Sequence, residues 1–533
     1  MISTNHEMAI QGNEAVVMDG NGLVTIEDII RLATQGCGVA LNAQADYHAH
    51  IERGAALVRD TLADGGVIYG VNTGYGDSCI VTIPPELVDE LPARLVTYHG
   101  CGGGALLDEP ATLAVLGCRL NALTRGYSGV RWVILEGLAQ LINLRVLPNI
   151  PEEGSVGASG DLTPLSYIAA VLMGEREVTY KGEVREACDV LRELQVAPIR
   201  LAPKEGLALM NGTAVMTGLA CLAWDRAEYL SRLATRVTAL VALGLYGQRD
   251  HFHPRLFAVK PHQGIMETAA WLFADLSARQ ADSSEAHPGR SAHLPLQDRY
   301  SIRCAPHVIG VLRDALPWMR RDIENELNSV NDNPIVDPVY GRIFHGGHFY
   351  GGHIAFVMDG LKAAVASLAD LMDRQLALLV DTKFNFGLPS GLSGASRARA
   401  PINHGFKGVQ ISVSAWTAEA LKLTMPAASF SRSTEAHNQD KVSMGTIAAR
   451  DCLRVLELTE QVAAAVLLAA VQGIWLRQRQ GELSPDAVSP AISAFLGGVG
   501  EYFEFLGEDR RLDKTLRRTA EGIRAKHWAL YPA

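Results

Sequence analysis

The stretch IAFVMDGLKAAVASLADLMDRQLALL, residues 354–379, decides the fold class. Its apolar side chains recur at steps of three or four residues: Ile354, Met358, Leu361, Val365, Leu368, Met372, Leu376 and Leu379. A helix with about 3.6 residues per turn places residues at these steps on one face. The stretch is therefore predicted to be one helix of about seven turns with a single apolar stripe.

Helical periodicity continues on both sides of this stretch. Helices are also predicted at residues 212–247, 306–328, 409–424 and 447–476. Several of them are apolar on more than one face, as expected for helices inside a bundle. Strand signals are few, and a small hairpin is predicted at residues 177–184. The sequence therefore predicts a mainly α protein with a central bundle of long, near-antiparallel helices.

Three regions are predicted along the 533 residues of the chain. Residues 1–25 are expected to be a loose tail. Residues 26–205 are expected to form a smaller N-terminal domain that is rich in loops. Residues 206–533 are expected to form the domain of long helices.

The composition argues against several classes of function. The net charge is −10 and no block of like charges occurs, so nucleic-acid binding is not predicted. The first residues lack the features of a secretory signal. The apolar run at residues 462–471 is shorter than the roughly 18 residues that span a membrane, so it is predicted to be a buried core helix. The 8 cysteines form no CxxC pair, which favours reduced thiols in a cytoplasmic protein.

Three motifs are weak candidates for chemistry. Residues 100–105 match the dinucleotide-binding pattern G-x-G-x-x-A but lack its βαβ context. Asp161 stands two residues after Ser159, so the G-x-S-x-G pattern of hydrolases fails. The histidines at 251–253 and 345–353 lack the spacing H-E-x-x-H, and no metal site is predicted.

The strongest candidate is GSVGASGDLTPLS, residues 154–166. Its closely spaced glycines allow the backbone to fold tightly on itself. Asp161 and Thr163 can hydrogen-bond the turn and begin a helix whose first turn tolerates Pro164. Taken alone, the segment is a glycine-rich entry to a helix, so its meaning depends on the motifs that accompany it.

Those motifs are YGVNTGYG at 69–76, NGT at 211–213, QDRYSIRC at 297–304, NSVNDNP at 328–334, HGGHF at 345–349 and NQDKVSMG at 438–445. In this order and spacing, the chain from about residue 25 to 480 resembles the aromatic amino acid ammonia-lyases and aminomutases. That family includes the histidine, phenylalanine and tyrosine ammonia-lyases.

The resemblance implies an electrophile that the chain makes from itself. In the family, the tripeptide that matches Ala158, Ser159 and Gly160 cyclises into a methylidene-imidazolone (MIO) group without an external cofactor. Glycine leaves its amide nitrogen free to attack the alanine carbonyl, and serine loses its hydroxyl as water. The implied reaction is the elimination of ammonia from an aromatic amino acid, so the chain would be a carbon–nitrogen lyase. The tripeptide lies in the predicted N-terminal domain, residues 26–205, which would be the MIO domain.

The resemblance also implies roles for other residues. Tyr69 would be the catalytic base that removes the β-proton, with a pKa lowered from about 10 by helix N-termini. Arg303 would bind the substrate carboxylate. Asn211 would hydrogen-bond the MIO oxygen, and Phe349 would pack on the MIO. Tyr300, Gln297 and Asn333 would line the substrate amino acid and the electrophile. Of these three residues, Tyr300 is assigned a catalytic role.

The preferred ring is predicted from a few positions. Tyr98 and His99 align with the selectivity switch of the family, and a histidine there can hydrogen-bond a phenol or an imidazole. Gln439 stands where histidine lyases carry a glutamate, and a neutral amide gives up charge pairing with an imidazole. Glu435 lies just upstream and could offer a compensating carboxylate. Tyrosine or a ring-substituted relative, giving a product of the 4-coumarate type, is therefore preferred.

Several alternatives remain at this point. Histidine ammonia-lyase activity, which forms urocanate, and 2,3-aminomutase activity share these motifs. An inert helical relative would be expected to have lost Ser159, Tyr69 or Arg303, and all three are present. The family further implies a homotetramer with active sites shared between subunits and an amino acid as the small-molecule substrate, with no nucleic acid or membrane as a partner.

Overall fold

A computed structural model describes residues 15–277, 295–485 and 488–532. It is 58% helix and 7% strand, which confirms the predicted mainly α fold class. Of the tail expected over residues 1–25, residues 1–14 lie outside the described part of the chain. Strand Val16–Met18 pairs in parallel with strand Val39–Leu41, so regular structure begins before the boundary that the sequence suggested.

Helices make up most of the fold. In chain order the described α-helices are α1 Ile26–Thr34, α2 Ala45–Ala63, α3 Leu91–Tyr98, α4 Glu109–Thr124, α5 Trp132–Asn143, α6 Leu162–Leu172, α7 Ala187–Glu193, α8 Glu205–Met210, α9 Ala214–Gly244, α10 Pro254–Ala258, α11 Gln263–Asp275, α12 Tyr300–Arg303, α13 Ala305–Leu327, α14 Gly352–Val380, α15 Lys407–Lys422, α16 Gly445–Arg479, α17 Pro490–Gly500 and α18 Asp513–Arg524. The helix predicted at residues 354–379 is confirmed as α14, and the other predicted helices are confirmed as α9, α13, α15 and α16.

The strands are short and lie in small sheets. They are β1 Val16–Met18, β2 Val39–Leu41, β3 Gly103–Leu106, β4 Leu147–Pro148, β5 Pro151–Glu153, β6 Glu177–Tyr180, β7 Glu183–Glu186, β8 Ile335–Asp337 and β9 Arg342–Phe344. The predicted hairpin is confirmed, because β6 and β7 pair in antiparallel fashion. Its two turn residues, Lys181 and Gly182, both have positive φ, as the tight hairpin turn requires.

The described residues form two compact units, each built from three separate segments. The first unit takes its residues from Met1–Asp225, Met319–Asp359 and Pro426–Arg450. The second takes its residues from Arg226–Trp318, Gly360–Met425 and Asp451–Ala533. This division by contacts differs from the contiguous domains 26–205 and 206–533 expected from the sequence, which stay a prediction.

In the first unit, helix packing sets the ends of two helices side by side. Helix α4 is buried along residues 111–124 and packs against α1. Helix α6 packs against α8. Because α6 begins at Leu162 and α8 ends at Met210, the residues just before α6 and just after α8 are brought together.

In the second unit, the most apolar part of α16 forms core. Helix α16 contains an 18-residue window that is apolar enough to cross a membrane, with a mean hydropathy of 1.5, but 89% of that window is buried inside the structure. Every side chain at residues 462–471 has 0% exposure. The prediction that this run is a buried core helix is therefore confirmed.

Truncation of a side chain in this core should be costly. We expect Leu467→Ala, at a position with 0% exposure, to lower the free energy of unfolding by about 2–5 kcal/mol, since the protein loses apolar burial and gains a cavity. Leu256→Ala, at a position with 55% exposure, should change it by about 0.5 kcal/mol or less. Chemical denaturation measures both, and equal losses would contradict the assignment of residues 462–471 to the core.

Candidate active site

The first unit contains a cavity of about 710 Å³. That volume lies in the range of about 300–1,000 Å³ that is usual for small-molecule sites. Its walls include these residues predicted from the sequence: Tyr69, Tyr98, His99, Ala158, Ser159, Asn211, Asn333, Phe349 and Gln439. Side chains that are far apart in the sequence are thus brought around one space.

The tripeptide Ala158, Ser159 and Gly160 forms a tight turn before α6. The φ angle is +52° at Ser159 and +77° at Gly160, so the backbone curls back on itself. Gly160 pairs with Gly212 as an isolated parallel β-bridge. A Cβ atom added at Gly160 would lie 2.1 Å from the carbonyl oxygen of Gly212, so no other residue fits at position 160.

Two donors converge on the carbonyl oxygen of Ser159. The amide Nδ2 of Asn211 donates to it at 2.8 Å, and the backbone N–H of Gly212 donates at 3.3 Å. The Oδ1 atom of Asn211 is buried and has no hydrogen-bond partner among the described residues. Fixed donors aimed at one oxygen stabilise negative charge on it, as in an oxyanion hole.

The hydroxyl of Ser159 has a separate partner. The amide Nε2 of Gln439 donates to Ser159 Oγ at 3.0 Å. A bridge between Thr434 and Gln439 closes the turn that carries this amide. The sequence assigned Gln439 to the ring of the substrate, whereas the structure places its amide on the serine of the tripeptide.

Asp161 anchors the segment around the tripeptide turn, where the sequence indicated that its side chain can form hydrogen bonds. Its buried carboxylate accepts hydrogen bonds from Ser155 Oγ at 2.8 Å, from the backbone N–H of Met216 at 3.0 Å and from the hydroxyl of Thr446. Burial raises the pKa of this carboxyl, and its donors oppose that rise. The side chain therefore ties the tripeptide turn to the starts of α9 and α16.

Tyr69 lies in the wall of the cavity and is half-buried. Its hydroxyl accepts a hydrogen bond from the backbone N–H of Gly76 at 2.8 Å. Burial raises the pKa of Tyr69, the Gly76 N–H lowers it, and the Glu435 carboxylate raises it further. The expected lowering by helix N-termini is therefore wrong for this chain, because burial and a negative charge outweigh the one amide donor.

Glu435, which the sequence offered as a compensating carboxylate, lines the cavity. Its two carboxylate oxygens accept the backbone N–H of Asp77 at 3.0 and 3.2 Å. It begins a left-handed turn, with φ values of +51°, +51° and +64° at Glu435, Ala436 and His437. A Cβ atom at Gly76 would lie 2.2 Å from the Glu435 carboxylate, so glycine there allows this approach.

Tyr98 and His99 line the same cavity with rings 4.3 Å apart. Burial, together with the charges of Tyr69 and Glu435, raises the pKa of Tyr98. Burial lowers the pKa of His99. His99 Nδ1 lies 2.9 Å from the carbonyl oxygen of Leu95, so this nitrogen carries the proton. In the neutral ring, Nε2 is then left as a hydrogen-bond acceptor.

Asn333 and Phe349 also lie in this wall. Asn333 Oδ1 accepts the backbone N–H of Gly346 at 2.8 Å, which positions the loop before Phe349. Within the described ranges, no group of three or more histidine, cysteine or acidic side chains is arranged to hold a metal ion.

Gln297, Tyr300 and Arg303 lie elsewhere. They are in the second unit, where they line a separate cavity of about 660 Å³. Arg303 Nε donates to the carbonyl oxygen of Asp298 at 2.9 Å, and its guanidinium lies 4.7 Å from the centre of the Tyr300 ring. The structure therefore groups these three side chains with one another rather than in the wall that contains Ser159.

The sequence matches the family described as aromatic amino acid lyase over residues 24–499. It is 34% identical over 516 residues to a histidine ammonia-lyase of Geobacillus sp., covering 97% of this chain and 98% of that protein. It is 36% identical over 524 residues to the MIO-dependent tyrosine 2,3-aminomutase of Streptomyces globisporus, covering 95% of this chain and 94% of that protein. The crystal structure of tyrosine aminomutase from that species matches this chain with a TM-score of 0.87 at 34% identity, covering 96% of this chain and 97% of that one.

Proposed function

The chain belongs to the aromatic amino acid lyase family, and we propose that it eliminates ammonia from an L-aromatic amino acid with an MIO group made from Ala158, Ser159 and Gly160. It is an enzyme of the carbon–nitrogen lyase type, like its relatives. The observation that carries the proposal is the convergence of the Asn211 amide and the Gly212 N–H on the Ser159 carbonyl, beside a glycine that leaves no room for a side chain.

The residues of the turn fit an MIO. Cyclisation joins the Gly160 nitrogen to the Ala158 carbonyl carbon with loss of one water, and loss of the Ser159 hydroxyl releases a second. Positive φ values at Ser159 and Gly160 favour the curled backbone that such closure needs. The ring carbonyl would be that of Ser159, which Asn211 already contacts. When formed, the group supplies an electron-poor carbon that no ordinary side chain provides.

Tyr69 is the residue that we propose as the base for the β-proton. Its hydroxyl lines the same cavity as Ser159, and the Gly76 N–H would stabilise the phenolate after the proton is lost. Because the pKa of Tyr69 is raised, the phenolate form is the less populated one near neutral pH. Activity is therefore expected to increase toward alkaline pH.

Binding of the amino acid carboxylate is assigned to Arg303, with Gln297 and Tyr300 beside it. These residues line a cavity of the second unit, and the described walls of the Ser159 cavity do not include them. We propose that the protein is a homotetramer in which active sites are shared between subunits, so that these residues serve a neighbour. Tyr300 is 71% exposed, which leaves it available for such a role.

A phenolic ring is the substrate group that the cavity suits best. His99 has a free acceptor nitrogen, and the Glu435 carboxylate is a second acceptor in the same cavity. A phenol or catechol hydroxyl can donate to such acceptors. Tyrosine or a ring-hydroxylated relative is therefore the proposed substrate. Phe349 would pack on the MIO. The 8 cysteines form no disulfide, which agrees with a cytoplasmic location.

Two other activities are supported by particular observations. Glu435 places a carboxylate in the cavity, so histidine is a second candidate substrate despite Gln439. The similarity to the Streptomyces globisporus aminomutase supports 2,3-aminomutase activity, in which the amino group is returned to the β-carbon.

Variants of Ser159 and Tyr69 should separate formation of the electrophile from removal of the β-proton. We expect Ser159→Ala to lack the near-ultraviolet absorbance of the MIO and most of the activity, since alanine has no hydroxyl to lose. Tyr69→Phe is the matched control: it should keep that absorbance and still lose elimination. Turnover of substrate by Ser159→Ala at the parent rate would contradict the proposal.

The pH dependence should respond to Glu435. Its negative charge raises the pKa of Tyr69, so Glu435→Gln should lower that pKa and move the acid limb of the kcat profile to lower pH. Asp440→Asn is a control, because Asp440 lines the same cavity while burial, Glu435 and Cys79 are what raise the Tyr69 pKa. An acid limb that is equally placed in both variants and the parent would show that Tyr69 is not the base.

A panel of four substrates tests the choice of ring and reaction. We expect kcat/KM to be highest for tyrosine or dihydroxyphenylalanine, above phenylalanine and histidine, with ammonia and an arylacrylate released in equal amounts. A preference for histidine would contradict the interpretation of Gln439. A β-amino acid that retains the nitrogen would identify an aminomutase instead.

A further inference from the structure

Arg119 is a buried cation directly behind the tripeptide site. It lies on α4, with 0% exposure. Its NH1 group donates to the backbone carbonyl of Asn211 at 3.1 Å and to Asn331 Oδ1 at 3.3 Å. Its Nε and NH2 atoms have no hydrogen-bond partner within the described part of the chain. Burial of a guanidinium with unsatisfied donors costs free energy, so its presence here requires an explanation.

The carbonyl that Arg119 contacts belongs to the peptide group that joins Asn211 to Gly212. The N–H at the other end of the same peptide group is that of Gly212, which donates to the Ser159 carbonyl oxygen at 3.3 Å. A cation on the oxygen of a peptide group draws electrons toward that oxygen and makes the N–H a stronger donor. Arg119, one peptide group and the Ser159 carbonyl thus form a continuous line of hydrogen bonds.

We propose that Arg119 is a positioning residue that polarises the Asn211–Gly212 peptide and thereby promotes formation of the MIO from Ala158, Ser159 and Gly160 and strengthens its electron withdrawal. The inference rests on the proposed function. Arg119 lies outside the cavity wall and would act on the tripeptide through the Gly212 N–H.

The Arg119 guanidinium lies near a carboxylate that also serves a second basic residue. The carboxylate that acts on it is Asp332. Asp332 is also paired with the buried ammonium of Lys204 at 2.5 Å and accepts the hydroxyl of Ser128 at 3.0 Å. Two cations therefore share one carboxylate, and a guanidinium remains protonated in a protein interior. Low polarity around the group strengthens its effect on the adjacent peptide.

Glycine at position 212 allows this arrangement. Its φ is +147°, and an added Cβ atom would lie 2.3 Å from Arg119 NH1. Gly160, on the other side, has no room for a Cβ atom because of the Gly212 carbonyl. The guanidinium and the tripeptide can therefore both approach the Asn211–Gly212 peptide only because both positions lack side chains.

Two full-length variants separate charge from hydrogen bonding. Arg119→Gln keeps a donor without the charge, and Arg119→Lys keeps a charge. The probes are the intact mass of the purified chain, which reports the loss of two waters, and the MIO absorbance. Arg477→Met is the matched control, because Arg477 is equally buried but bonds to the Gly244 and Asn385 carbonyls of the second unit.

We expect Arg119→Gln to lose the two waters about tenfold more slowly after synthesis and to have a kcat about tenfold lower with an unchanged KM. Its MIO absorbance should lie at shorter wavelength, since a less polarised carbonyl withdraws electrons less. Arg119→Lys should lie closer to the parent in each respect. Arg477→Met should have the parent mass and absorbance, even if it is less stable.

Folding of each variant is checked by circular dichroism, and if Arg119→Gln does not fold, Arg119→Met, which also lacks the charge, takes its place with the same expected shift in absorbance and rate of water loss. The parent's rate of water loss and absorbance in the folded variant without the charge would overturn the role of Arg119 alone. A parent protein that retains both waters would instead contradict the proposed function.

Discussion

The close approach of two backbone segments is the constraint on which the site depends. Residues 159–161 run beside residues 211–212, with hydrogen bonds from the Gly212 N–H to the Ser159 carbonyl and from the Asp161 N–H, at 2.7 Å, to the Gly212 carbonyl. The packing of α6 against α8 brings the segments together. Glycine at 160 and 212 lets them touch, and the resulting geometry aims two donors at one oxygen.

Local periodicity was sufficient to predict α9, α13, α14, α15 and α16, because an apolar stripe such as that of residues 354–379 can be buried in few other ways. The cavity residues were predicted from motifs, and the structure brings Tyr69, Ser159, Asn211 and Gln439 around one space. The division into units that interleave along the chain was not predicted, since contacts between distant segments leave no periodic signal in the sequence.

The electrostatics of the site were the least predictable feature. The pKa of Tyr69 depends on burial and on Glu435, whose carboxylate reaches the tyrosine loop only because of a left-handed turn more than 350 residues away. The burial of Arg119 was not predicted either, because the position of an arginine within an apolar helix indicates neither its burial nor its hydrogen-bond acceptor. Three-dimensional contacts, rather than spacing along the chain, decide both effects.

The central claim is that the chain converts its own Ala158, Ser159 and Gly160 into an electrophile held by Asn211 and Gly212. An experimental crystal structure of the purified protein, refined without a restraint on residues 158–160, tests it most directly. The account predicts a five-membered ring in the electron density, with its carbonyl oxygen at the Asn211 amide and no serine hydroxyl. An intact serine with its Oγ at the Gln439 amide would contradict it.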